Sequence, residues 1–277
     1  MTLTARWVRA ASAGIVATVA MVAPVAHAQN QAPDDWRFRA AIYGWFPSLD
    51  GTTQFPASGA SGPSFKVDAS TILDNLSFAF MGTFEAQRGN WGVFVDYFYA
   101  NVDGSVSGTR DFSLGQVGIP ASASANFDLS VKTNLLTLAG TYAVVEDPAY
   151  SVAVLAGARM LSVDQTLNWT LNGNLAPIVL PGRTGSVDAS LTNWDAIVGV
   201  RGRLRFGDDR RWFVPYYADV GGGQSKLTWQ VWGGIGYSFK WGEIAAAWRY
   251  LDYEFKSGDP LQTLSFNGPA VGVIFNW

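Results

Sequence analysis

Residues 78–100 read FAFMGTFEAQRGNWGVFVDYFYA. Phe78, Phe80, Gly82 and Phe84 share one parity and Thr83, Glu85 and Gln87 the other, the period of two that sends successive side chains to opposite faces of a strand. Gly89-Asn90 is a two-residue turn signal, and the alternation resumes at Trp91. Such a loop fixes register. With Arg88 opposite Trp91, Phe84 meets Val95 and Thr83 meets Asp96, so apolar faces apolar and polar faces polar. The stretch is an antiparallel hairpin with one greasy and one polar face.

The pattern extends outward in both directions. Trp36, Phe38, Ala40, Ile42, Gly44 and Phe46 alternate with Arg37, Arg39, Ala41, Tyr43 and Trp45. A second tight hairpin is expected at Trp241-Gly242, with Lys240 opposite Glu243, Phe239 opposite Ile244 and Ile235 opposite Trp248. In all, strands are expected at 36–46, 76–88, 91–104, 124–143, 150–167, 187–206, 212–221, 227–240, 243–255 and 262–277. Connections at 89–90, 144–149, 207–211 and 241–242 are short, whereas 47–75, 105–123 and 168–186 are long and rich in Gly, Ser, Asn and Pro. Short turns at one end and long loops at the other are the signature of a transmembrane β-barrel, and an even strand count puts both termini at the short-turn end.

The first long connection leaves two details open. Thr71-Ile72-Leu73-Asp74 resembles a capping box with Asp in place of Glu, so 71–76 reads as a helical turn, either in the barrel mouth or leading into the next strand. A hairpin around Asp50-Gly51 would raise the count to twelve. The expected fold is therefore all-β: a transmembrane antiparallel up-and-down barrel of ten strands, or twelve.

Composition agrees. The 277 residues include 30 Gly, 12 Trp, 10 Tyr and 17 Phe, with no Cys, a mix suited to strands and tight turns. A formal net charge of −3 excludes the basic excess that nucleic-acid binding requires. Trp36, Trp91, Tyr150, Phe206, Trp212, Phe239, Trp241 and Trp277 fall beside short turns or the termini of the expected barrel domain, as one interfacial girdle would. Phe46, Phe78, Tyr99, Trp194 and Trp229 lie toward the opposite strand ends. At the start of the chain, Arg6 and Arg9 precede an apolar run from 10 to 25 and an Ala26-His27-Ala28 cleavage pattern. Residues 1–28 are expected to be a signal peptide cleaved near Ala28, leaving 29–277 as the barrel domain.

The last residues, Gly272-Val273-Ile274-Phe275-Asn276-Trp277, resemble the C-terminal assembly signal of Gram-negative outer-membrane barrels, with Trp277 in place of the commoner Phe. Trp248-Arg249-Tyr250-Leu251 and Asn267-Gly268-Pro269 resemble the closing strands of small outer-membrane barrel proteins, many of them uncharacterised. The resemblance implies residence in outer-membrane lipid of the cell envelope and assembly by the outer-membrane insertion machinery, with Gly272, Phe275 and Trp277 as the signal. It implies no activity.

Catalytic chemistry is scarce. No His or Cys follows residue 28, so Ser-His-Asp, Cys-His and His-metal sites have no residues to build them. No enzymatic role, metal or cofactor is expected. Gly221-Gly222-Gly223-Gln224-Ser225-Lys226 reads as a tight loop rather than a phosphate cradle, and Asp208-Asp209 as a solvated turn. Glu85 and Asp96 form a diagonal carboxylate pair whose better reading is ion pairing to arginines in the lumen.

Those arginines are the strongest polar pattern. Arg201, Arg203 and Arg205 alternate with Gly202, Leu204 and Phe206 and so point inward. The expected inward set is Arg37, Arg39, Lys132, Arg159, Arg201, Arg203, Arg205, Lys240 and Arg249 against Glu85, Asp96, Asp128, Asp195 and Asp219. With Phe206 opposite Trp212, Arg201 lies diagonal to Asp219 and is expected to pair with it. Two functions follow: a structural or surface-interaction barrel with an ion-paired lumen, or a narrow porin-like passage or binding site for small anionic solutes. An eight-strand interior is just filled by side chains and ten strands add little room, which favours the first.

Overall fold

The computed structural model of the chain describes residues 35–53, 64–114, 119–175, 178–257 and 261–277. The expected signal peptide and its cleavage site lie outside the described residues. The strands are β1 (Trp36–Trp45), β2 (Ser48–Thr53), β3 (Ser64–Val67), β4 (Leu76–Arg88), β5 (Trp91–Leu114), β6 (Ile119–Glu146), β7 (Tyr150–Leu175), β8 (Ile178–Phe206), β9 (Trp212–Gly223), β10 (Leu227–Ser238), β11 (Glu243–Glu254) and β12 (Leu261–Asn276), with one short helix, α1 (Ala69–Asp74).

Neighbouring strands pair antiparallel from β4 through β12, and β1 joins β4 on one side and β12 on the other. Among the described residues ten strands thus close a ring with no free edge within it, which satisfies every ladder in an apolar surrounding. β2 and β3 are the additional hairpin. β12 pairs first with β2 through Leu261 to Asn267 and then with β1 through Ala270 to Asn276, so one strand serves two partners in succession. Gly268 sits at the handover. A Cβ there would fall 2.2 Å from the Phe46 carbonyl oxygen, so only glycine lets the chain leaving β1 pass.

Asp50-Gly51 lies within β2, not at a hairpin turn. The helix begins after Asp68, not at Thr71, and carries no side-chain cap; Asn75 Nδ2 closes its last turn on the Thr71 carbonyl at 2.8 Å.

Two hairpin registers are as expected: Arg88 opposite Trp91 with Thr83 opposite Asp96, and Phe206 opposite Trp212 with Arg201 opposite Tyr217. The third is not. Ser238, not Lys240, faces Glu243, and Ile244 faces Tyr237. The loop runs from 239 to 242 and closes through Phe239 N–H to the Gly242 carbonyl at 2.8 Å, while the Phe239 and Trp241 rings stack at 5.7 Å. The slip of two residues keeps every side chain on its expected face, but it leaves Lys240 in an exposed turn outside the lumen.

The described parts of the segments expected as loops, 105–114, 119–123, 168–175 and 178–186, are strand. β5 and β6 pair out to Leu114 opposite Ile119, and β7 and β8 out to Leu175 opposite Ile178. β4 reaches only to Val102 of β5, and β9 only to Asp195 of β8. β5 and β6 continue past the rim by about a dozen residues and β7 and β8 by about sixteen, or about 40–55 Å at ~3.3 Å per residue. Their sequence is rich in Ser, Thr, Asn and Gly, which reads as loop but still makes a ladder. Asp128, opposite Ser105, belongs to this blade rather than to the lumen, and Lys132, opposite Asn101, is exposed at its base.

The outer surface is apolar. All eight girdle residues beside the short turns and C-terminus are 44–70% exposed. Above them Ile42, Phe84, Leu138, Val154, Val198, Val200, Val231, Ile235 and Val271 are exposed too, up to Phe78, Trp194 and Trp229 near the other rim. A soluble protein rarely shows a contiguous apolar patch beyond a few hundred Å²; a band that circles a barrel between two aromatic rings fits a bilayer.

Candidate functional site

The inward parity of the ten strands supplies the lumen in layers. Nearest the short turns, Arg37 forms a paired ion bridge with Glu146, its Nη2 donating to Oε2 at 2.8 Å, and both side chains are about two-fifths exposed. Deeper in, Glu85 accepts from two arginines. Arg201 Nη2 donates to Oε1, and Arg39 Nη1 reaches Oε2 only at 3.5 Å while its Nε donates to Asn276 at 2.8 Å. Beside them Arg203 Nη1 spans both oxygens of Glu243 at 2.7 and 2.8 Å, with Ser238 donating to the same carboxylate at 3.0 Å.

At mid-height, Arg249 Nη2 donates to Asp96 at 2.6 Å, and Tyr43 links the pair, donating to Asp96 at 2.6 Å and accepting from Arg249 at 2.9 Å. Gln230 accepts from Arg249 Nε and Nη2 at 3.1 and 2.8 Å. On the opposite wall the fully buried Arg159 is paired with Asp219 and donates to Thr137 and Thr228 at 3.3 and 3.4 Å. Aromatic faces back the cations: Arg201 lies 4.3 Å over Phe94, Arg203 4.1 Å over Phe213 and Arg249 4.5 Å over Trp45. Buried charge is tolerated when paired and hydrogen-bonded, and each of these ions is.

The expected pairing of Arg201 with Asp219 does not form. Asp219 is taken by Arg159, two strands away, and Arg201 turns across the lumen to Glu85. Gly199 stands opposite Asp219, where a Cβ would fall 2.7 Å from the Asp219 Cβ. Directly opposite Arg159 is Asp195, but it accepts instead from Asn193 Nδ2 at 2.6 Å and from Ser225 N–H at 2.8 Å, pinning the 224–226 turn. Arg205 is half-buried at the mouth and, among the described residues, has no carboxylate partner. Glu243, Tyr43, Gln230, Thr137 and Thr228 went unassigned in the sequence. Glu243 is expected only as the cross-strand partner of Lys240 and stands outside the expected inward set; it faces Ser238 and pairs with Arg203.

Above this polar zone the lumen is apolar. Trp45, Met81, Phe98, Leu135, Leu161, Val163, Leu251, Tyr253, Phe255, Leu264 and Phe266 pack together with at most 7% exposure, and Leu49, Leu76, Val131, Leu191 and Leu261 cover them. These residues come from nearly every wall and plug the barrel at its long-connection end. Below the Arg249 and Asp96 layer lies a cavity of about 240 Å³, bounded by Arg39, Glu85, Phe94, Arg201, Trp232 and Ala247 among others.

No protein-family model matches the chain, and a comparison with curated proteins finds no match. Among solved structures the chain is similar to the translocator domain of the autotransporter NalP from Neisseria meningitidis, at 14% identity and a TM-score of 0.38 over 86% of this chain and 88% of that one. It is also similar to Ail, the attachment invasion locus protein of Yersinia pestis, at 11% identity and a TM-score of 0.31 over 87% of this chain and 98% of that one. A FadL homologue of Pseudomonas aeruginosa aligns at 7% identity and a TM-score of 0.25, over 88% and 89% of the two chains. The barrel of this chain rests on its own strand pairing.

Proposed function

We propose that the chain is a bacterial outer-membrane barrel with no catalytic role, a plugged anchor that carries a four-stranded blade into the medium beyond the long-connection rim. The observation that carries this reading is the apolar plug. A route for hydrated ions or solutes would have to cross a dry, close-packed layer built on residues such as Leu161, Leu251 and Tyr253, each fully buried. The ion pairs beneath it tie facing walls together around the remaining cavity and stiffen the barrel. Interaction is then left to the blade, whose outer edges, β5 beyond residue 102 and β8 before residue 195, have no strand neighbour among the described residues. Assembly by the outer-membrane machinery through Phe275 and Trp277 belongs to the same reading, both side chains being exposed at the closing strand.

Reconstitution into planar bilayers tests it. The full chain is expected to insert without stepwise conductance, and deletion of the blade strands beyond the rim should leave insertion intact while abolishing any binding to cells or matrix seen with the whole protein. Regular conductance steps would favour a narrow passage for small anions.

A further inference from the structure

We propose that the cavity beneath the plug is a blind binding site for a small organic monocarboxylate, entered from the short-turn end. Three observations meet there. Its lining residues Gln87, Glu146 and Ser151 lie beside the 89–90 and 147–149 turns, and the Glu146 side chain is 40% exposed, so the space reaches solvent at that end. At the other end the Arg249 and Asp96 layer and the apolar plug close it.

The second observation is charge. Within this half of the lumen Arg37 is matched by Glu146 and Arg203 by Glu243, but Arg39 and Arg201 share the single carboxylate of Glu85. Among the described residues one positive charge is therefore uncompensated at the cavity wall. Arg39 is the looser of the two, at 3.5 Å from Glu85 and about one-third exposed. A guanidinium with spare donors, in a site partly shielded from water, is matched by a planar carboxylate. Arg205, with no carboxylate partner among the described residues, adds attraction for an incoming anion at the mouth.

The third is the floor. Phe94, Tyr217 and Trp232 form a continuous aromatic row with ring centroids 5.9 and 5.7 Å apart, and Phe94 and Trp232 line the cavity together with Ala41, Ala153 and Ala247. An apolar body beside the carboxylate would be held there. At about 240 Å³ the cavity falls below the ~300 Å³ at which pockets for drug-sized ligands begin, so the occupant is small, of the order of a single ring with its carboxylate.

The proposal rests on the plugged-barrel reading for its one-sided entrance, and its test separates the two. The full-length protein in detergent micelles is dialysed to equilibrium against radiolabelled benzoate, benzylammonium and inorganic phosphate. Benzoate is expected to bind saturably at one site per chain, benzylammonium not to bind, and phosphate to bind at least tenfold more weakly. Ala247→Phe fills the cavity without touching a charge and should abolish benzoate binding while keeping the gel mobility of the folded barrel. Arg39→Gln should weaken binding roughly tenfold, about the worth of one charge-assisted hydrogen bond. Absence of saturable benzoate binding, equal binding of benzylammonium, or unchanged binding by folded Ala247→Phe would overturn the site. A conducting barrel that still binds benzoate would overturn the plug and leave the site standing.

Discussion

Arg249 and Asp96 meet at 2.6 Å across the lumen although 153 residues separate them in sequence. Both are nearly fully buried, and the strands that carry them, β11 and β5, are not neighbours in the ring. The contact thus ties two walls that no backbone ladder joins. Asp96→Asn is expected to destabilise the barrel by about 3–5 kcal/mol, because it leaves a buried guanidinium without its counter-ion. Asp96→Leu combined with Arg249→Met should recover most of that loss, since an apolar pair of similar bulk needs no desolvation of charge. Urea unfolding followed by heat-modifiable gel mobility measures both; equal stability of Asp96→Asn and wild type would show that the pair contributes nothing to the fold.

The plug gives a separate expectation. Leu161→Ala or Leu251→Ala, at sites with no exposure, should each cost about 2–5 kcal/mol. Combining Phe98→Ala, Leu161→Ala and Leu251→Ala should remove the dry layer and open measurable ion conductance in planar bilayers. A triple variant that inserts, folds and stays silent would place the barrier elsewhere.

The β10–β11 register can be read chemically because the chain has no native cysteine. Tyr237→Cys with Ile244→Cys puts two thiols directly across the ladder, about 4.5–5.5 Å between Cβ atoms and close enough to oxidise with small adjustment. Phe239→Cys with Ile244→Cys, the pairing that a two-residue turn would create, should not cross-link in the folded barrel. The opposite result would restore the tighter hairpin.

That register shows how far the sequence carries. Gly89-Asn90 marks a two-residue turn by its backbone freedom, with Gly89 at φ +58°, and the register followed from it. Trp241-Gly242 has a similar look, but Phe239 stacks on Trp241 within a four-residue loop, and Glu243 pairs with Arg203 on β8, a contact forty residues away that no turn signal carries. The plug was written in places where both parities are apolar, as at Tyr97-Phe98-Tyr99-Ala100 and Leu135-Leu136, and was masked by the expectation of a uniformly polar interior. Charges could be counted but not matched: Arg159 prefers Asp219 on β9 to Asp195 directly opposite, a choice made by the shape of the lumen.

The seam predicts the effect of the C-terminus. Trp277 exchanges two backbone hydrogen bonds with Phe38, at 2.8 and 3.1 Å, and their rings lie 5.9 Å apart. Deleting Trp277, or changing it to Asp, removes the aromatic contact where the first and last strands close the ring. The folded fraction in outer-membrane preparations should fall at least several-fold with synthesis unchanged, measured by the ratio of heat-modifiable to unshifted bands. Trp277→Phe should restore it, as the aromatic anchor is kept.

The arginine row on β8 separates structure from charge. Arg203 is buried, paired with Glu243 through two contacts and stacked on Phe213, whereas Arg205, one step nearer the turn, has no carboxylate partner among the described residues. Arg203→Gln strands a buried glutamate and should cost about 3–5 kcal/mol. Arg205→Gln removes a half-exposed, unpaired charge beside other arginines and should fall within about 0.5 kcal/mol of wild type, with a slower capture of small anions as its only effect. Thermal unfolding of the two single variants side by side gives the answer. Equal losses would mean that Arg205 has a partner in the folded barrel, and equal silence would mean that the Arg203 and Glu243 pair is replaceable by water.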